Sequence, residues 1–113
     1  MIKCAEKSPR ICNDGSIRWY EGDTFELEFN LNFTDDNGDP VPTAADDKIE
    51  ICIRDKISNK SVYETAVVGT NKLIISIDEN ATKNFTVGEY YYCVKRNSNY
   101  ITTIMRKNKI VVE

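Results

Sequence analysis

Phe25, Leu27, Phe29, Leu31 and Phe33 are all aromatic or aliphatic, and the residues between them are Glu26, Glu28, Asn30 and Asn32. Successive side chains point to opposite faces of a strand, so this run buries one face and wets the other. On a helix the same phenyl rings would scatter around the axis. A chain built on this rhythm has to bury a sheet face against something, and that constrains the fold more than any other feature of the sequence.

The rhythm recurs. Ile49, Ile51 and Ile53 alternate with Glu50, Cys52 and Arg54 across a strand expected over 48–55. A polar tip over 56–60 leads into a strand over 61–66, and Leu73, Ile75 and Ile77 mark another. Tyr90, Tyr92 and Val94 share one parity, while Tyr91, Cys93 and Lys95 share the other. Strands over 17–20, 100–105 and 110–112 complete the pattern. Asn37-Gly38 is a tight-turn signal, because both residues tolerate positive φ. Pro40 and Pro42 hold the following chain extended. The polar stretch 78–84 reads as one helical turn, with Asp78 as cap and Ala81 inside. About seven short strands, regular turn signals and no long helix predict an all-β fold. The expected architecture is an antiparallel immunoglobulin-like β-sandwich.

With 113 residues the chain suits one domain. Residues 1–16 carry little pattern and are expected to form a weakly structured N-terminal arm or an edge strand, and 17–113 the sandwich. The chain has no His, which removes Ser-His and Cys-His nucleophile pairs and His-bearing metal sites. There is no Gly-rich phosphate loop. No catalytic, cofactor-binding or metal-binding residue is assigned, and no enzyme activity or cofactor is expected. The net charge of -3 argues against nucleic acid as a partner. No apolar run approaches the ~20 residues of a membrane span, so no membrane partner is expected. The N-terminus has no apolar core of a signal peptide, which predicts a reducing compartment and reduced thiols at Cys4, Cys12, Cys52 and Cys93. Cys52 and Cys93 lie on the outward parity of their strands and would meet on an outer face if those strands are neighbours.

Other clusters have plain readings. Asp35, Asp36, Asn37 and Asp39 gather oxygen ligands, but the calcium-loop spacing fails at Gly38 and no Glu closes the loop. A solvated turn explains them. The sequons at Asn32, Asn59, Asn80 and Asn84 fit chance in an Asn-rich chain. Of Tyr90, Tyr91 and Tyr92, only Tyr91 is expected to face outward. Acids dominate 21–50, where Lys48 is the lone cation, whereas Lys95, Arg96, Arg106, Lys107 and Lys109 face only Glu113 from position 93 onward. Solvated faces attracting one another within the fold account for this, and head-to-tail assembly of copies is the sharper alternative.

Two segments carry a resemblance. Arg18-Trp19-Tyr20-Glu21-Gly22-Asp23-Thr24-Phe25, running on to Phe29, is followed by Asp36-Asn37-Gly38-Asp39-Pro40-Val41. Later, Ile77-Asp78-Glu79-Asn80-Ala81-Thr82 precedes Gly88-Glu89-Tyr90-Tyr91-Tyr92. In this order they resemble the N-terminal domain of the phage baseplate upper protein, over roughly residues 17–113. The resemblance implies a non-enzymatic structural or interaction module of a phage or prophage tail. Such a module is assembled in the bacterial cytoplasm, works in the virion, and has other tail or baseplate proteins, or copies of itself, as partners. The alternative is a bacterial surface or secreted immunoglobulin-like adhesion domain that binds glycan or protein. Two departures separate the chain from true immunoglobulin domains: Trp19 precedes the main strand, and Tyr92 stands where the inter-sheet cysteine would fall.

Overall fold

A computed structural model describes residues 9–32, 34, 36–40, 44–98 and 101–113, without the side chains of 101, 103 and 105. The described strands are β1 Arg10–Ile11, β2 Ile17–Trp19, β3 Phe25–Asn30, β4 Lys48–Asp55, β5 Ser61–Val68, β6 Lys72–Ile77, β7 Gly88–Ser98 and β8 Ile101–Val112. A single 3-10 turn, Ala81–Asn84, lies between β6 and β7. The chain is therefore all-β, as expected, and its strands form two sheets.

The larger sheet has six strands in the order β1-β2-β8-β7-β4-β5, and the smaller pairs β3 with β6. All pairings are antiparallel except β2 with β8, where Ile17 stands opposite Ile110. Inward residues of both sheets meet in one core. Ile49, Ile51, Ile53, Tyr92 and Val94 come from the large sheet, and Phe29, Leu73, Ile75 and Ile77 from the small one. Phe29 of β3 stacks on Tyr92 of β7, with ring centroids 6.4 Å apart. Trp19 packs edge-on against Phe25 and Phe85, at 5.0 and 5.2 Å. Burial of these rings and branched chains supplies the main drive for folding.

Local chemistry sets the turns. Asp78 Oδ1 accepts from the N–H groups of Asn80 and Ala81, which starts the 3-10 turn where a capping residue was expected. At the other end of that connection, Tyr90 folds its phenol back on the chain. Its O–H donates to Thr86 O at 2.9 Å, and Thr86 N–H donates to the same phenol oxygen at 3.0 Å. The β4–β5 hairpin closes through Asn59 in a left-handed conformation. Gly38, at φ +82°, sits in the expected turn between Thr34 and Pro40, which bridge each other. Phe33, Asp35 and Pro42 lie outside the described residues, so the end of the opening run does too.

Three features depart from the expected pattern. The two strands expected over 100–105 and 110–112 are one strand, β8, because a bulge absorbs the change of parity between them. Val94 pairs with Arg106 but Lys95 pairs with Ile104, so one residue of β8 is passed over. The polar run 106–109 is thus held in the ladder by β7. The second departure lies before β2. Residues 12–16 form a tight turn in which Ser16 is fully buried and Asp14 Oδ1 accepts from Ser16 N–H and O–H. Tyr92 O–H donates to Gly15 O at 2.9 Å and Asn108 Nδ2 to Asp14 O at 2.8 Å, so this turn is tied down by β7 and β8. The third is redox state. Cys12 is disulfide-bonded, which corrects the expectation of four reduced thiols, while Cys52 and Cys93 are free. Cys4 lies outside the described residues.

Candidate functional site

Alternation places the outward residues of β4, β7 and β8 on one exposed face of the large sheet. Cys52 stands directly opposite Cys93, and Cys93 opposite Lys107 on its other side. Lys95 pairs with Ile104 one step along, and Arg54 with Tyr91 one step the other way. These side chains line a groove of about 560 Å3, with Cys52 and Cys93 along its floor. Tyr91 and Ile104 are unusually open for their size, at 43% and 61% exposed. Ile104 faces outward because the bulge turns β8 over at this point.

The groove is cationic. Arg54, Lys95 and Lys107 line it and no carboxylate does. The Arg54 guanidinium donates to Asn59 O at 3.0 Å. Neither Lys95 nor Lys107 has an ion-pair partner among the described residues. Several cations elsewhere are paired: Lys56 with Glu89 at 2.7 Å, Lys72 with Glu28 at 3.6 Å, and Arg10 with Glu113. On the far side of the two thiols lies a smaller groove of about 330 Å3, where Glu50 and Glu64 join Lys48. Cys52 Sγ is 3.5 Å from Glu64 Oε1 and 3.6 Å from Ser61 Oγ. Both thiols, Arg54 and Lys95 line both grooves; the difference between the thiols is that Lys107 stands opposite Cys93 while Glu64 lies against Cys52.

Four carboxyls, Asp14, Asp47, Glu64 and Glu89, are tuned downward. Asp47 is fully buried and holds Arg96 at 2.6 Å and Ala44 N–H at 2.9 Å. Hydrogen bonds from Ser98 first, then Arg96 and Ala44, pull its pKa down to about 2. The Ser61 hydroxyl and the Cys52 thiol lower Glu64, and the Lys56 ammonium lowers Glu89. Ser16 does the same for Asp14. A general acid needs the reverse, a carboxyl raised toward neutral pH by burial. Arg96–Asp47 also joins the basic C-terminal stretch to the acidic one, as attraction within the fold requires.

The sequence singled out other residues that do not come together. Asp36 and Asp39 lie exposed in their turn, while Asp47 is buried against Arg96. Among the described residues no group of three or more acids or cysteines could hold a metal ion. Tyr90 and Tyr92 point inward and Tyr91 outward, as parity predicts. Parity put Cys52 and Cys93 on outward faces, and the β4–β7 pairing is what makes them meet. The unpaired lysines were not, because pairing depends on strand neighbours and on the bulge. No protein-family model, curated protein or solved structure matches the chain.

Proposed function

We propose that the chain is an immunoglobulin-like β-sandwich serving as a non-enzymatic structural or interaction module of a phage or prophage tail. The observation that carries the fold reading is the phenol of Tyr90. It sits near the start of β7, two residues ahead of Tyr92, and bonds back to the Thr86 backbone. Immunoglobulin-like domains keep such a tyrosine at the corner leading into their sixth strand. The strand order supports the same reading. β8-β7-β4-β5 corresponds to the face that variable-type domains build from their last, sixth, third and added strands, and β3-β6 to the second and fifth. Where those domains join the two sheets by a disulfide, this chain stacks Phe29 on Tyr92.

The tail assignment draws on the ordered resemblance of the two sequence segments. Downward-tuned carboxyls agree with a part that binds and does no chemistry. Mass spectrometry of tails purified from an induced prophage that encodes the chain should find it in stoichiometric amounts. Reproducible absence from the particle removes the assignment. One observation favours the second reading, an adhesion domain at the bacterial surface. Cys12 is disulfide-bonded, and disulfides persist in oxidising compartments. Protease shaving of intact cells that releases peptides of this chain would select that reading.

A further inference from the structure

Cys52 and Cys93 form a cross-strand pair of free thiols, half-buried and open to grooves on both sides. One step beyond the β4–β7 ladder, Lys56 N–H donates to Glu89 O at 3.2 Å. Antiparallel ladders alternate, so every second pair from there is hydrogen-bonded, and Cys52–Cys93 is such a pair. Its Cα atoms are then about 5.5 Å apart. A disulfide accepts Cα separations of roughly 4.4–6.8 Å but needs Cβ atoms roughly 3.5–4.5 Å apart, closer than a hydrogen-bonded pair holds them, so the two sulfurs can be joined only under strain, and a strained disulfide is readily reduced again.

The two thiols are chemically unequal. Cys93 lies between Lys107 across the ladder and Lys95 two residues on; neither ammonium has an ion-pair partner among the described residues, and Glu50 stands opposite Lys95 on β4. Cys52 leans on Glu64 and Ser61. Thiol–disulfide exchange proceeds through the thiolate, which neighbouring cations favour. The cations that line the groove attract an anionic reagent into it.

We propose that the Cys52–Cys93 pair is a thiol–disulfide exchange site that takes an anionic low-molecular-weight disulfide, of the class of oxidised glutathione, from the cationic groove. The Cys93 thiolate attacks one sulfur of the incoming disulfide. A protein–reagent disulfide forms, the reagent's own S–S bond breaks, and the first reagent thiolate leaves and takes up a proton. Cys52 then loses its thiol proton to water, and its sulfur attacks Cys93. The Cys52–Cys93 bond forms as the second reagent thiolate departs with a proton. Two protein thiols are oxidised by two electrons, and one disulfide is reduced to two thiols. This proposal is independent of the tail assignment, because it rests only on the face of the large sheet.

The test uses the full chain, without prior reduction, treated with oxidised glutathione or with the cationic disulfide cystamine at equal concentration and low salt. Intact mass and peptide mapping follow the products. Glutathione disulfide should react about tenfold faster or more, and the gap should close at high salt. Reversing the charges with Lys95→Glu and Lys107→Glu should abolish the preference. Cys52→Ser should stop at a mixed disulfide on Cys93, whereas Cys93→Ser should react at least about tenfold more slowly. Far-UV circular dichroism verifies that each variant keeps its strands. Equal rates for the two disulfides at low salt overturn the proposal, as does a Cys93→Ser variant that reacts as fast as the parent.

Discussion

Replacing Tyr90 by Phe removes one oxygen and leaves the ring. The ring keeps its edge-on packing against Phe85, at 5.2 Å, so no cavity of consequence opens. What is lost is the phenol's donation to Thr86 O and the bond it accepts from Thr86 N–H. A typical intramolecular hydrogen bond is worth about 1 kcal/mol net, so two give about 2 kcal/mol. Thr86 itself is exposed, and water can reach its freed backbone groups, which keeps the cost from rising to that of two buried orphans. For a domain of this size 2 kcal/mol corresponds to a fall in Tm of about 8 °C. Urea unfolding followed by circular dichroism should show the midpoint falling with the slope unchanged. Tyr91→Phe, on the outer face, is the matched control and should stay within about 0.5 kcal/mol of the parent. A Tyr90→Phe variant within about 0.5 kcal/mol of the parent would refute the argument that this phenol clamps the corner, and equal costs for the two variants would refute it equally.

Acid should unfold the chain through Asp47, whose folded carboxyl has a pKa of about 2 against an ordinary 3.8. The unfolded state binds the proton first, so the stability this group contributes is present above about pH 4 and disappears as pH falls toward 2; Asp47→Asn should flatten that limb of a stability-against-pH curve. Burial raises the Tyr92 phenol above its ordinary value, against the opposing pull of Arg106. Its contribution is complete below pH 10 and lost as pH rises further, so Tyr92→Phe should show a shallower alkaline loss in the same titration. Ile51→Ala in the shared core should cost about 3 kcal/mol in urea unfolding, since the rigid strands around it cannot close the gap.

Which residues face inward was written in the alternation. Ile49, Ile51, Ile53, Tyr90 and Tyr92 all lie where parity sends them, because a strand with one buried face cannot slip by one residue without exposing its whole apolar set. Parity also brought Cys52 and Cys93 to one face. It could not say which strands are neighbours, and the cationic groove depends on that. The bulge at Lys95 and Ile104 was equally hidden, since a bulge is one extra residue with no composition of its own. Residues 12–16 looked patternless because their order comes from distant donors, Tyr92 and Asn108, and not from a periodicity. The disulfide at Cys12 depends on oxidation as well as on spacing, which the alternation of side chains does not record.

Ile17 lies beside Ile110, and Trp19 beside Val112. The large sheet thus joins β2 to β8 across nearly the whole described chain. Until β8 has left the ribosome, β2 has no partner on that side, and Ile17 and Trp19 lack the neighbour that helps to cover them. Contacts so far apart along the chain are slow to form, because the intervening loop must close first. The nascent polypeptide therefore completes this sheet only once β8 has emerged, and until then its aromatic cluster is a target for chaperones and a hazard for aggregation.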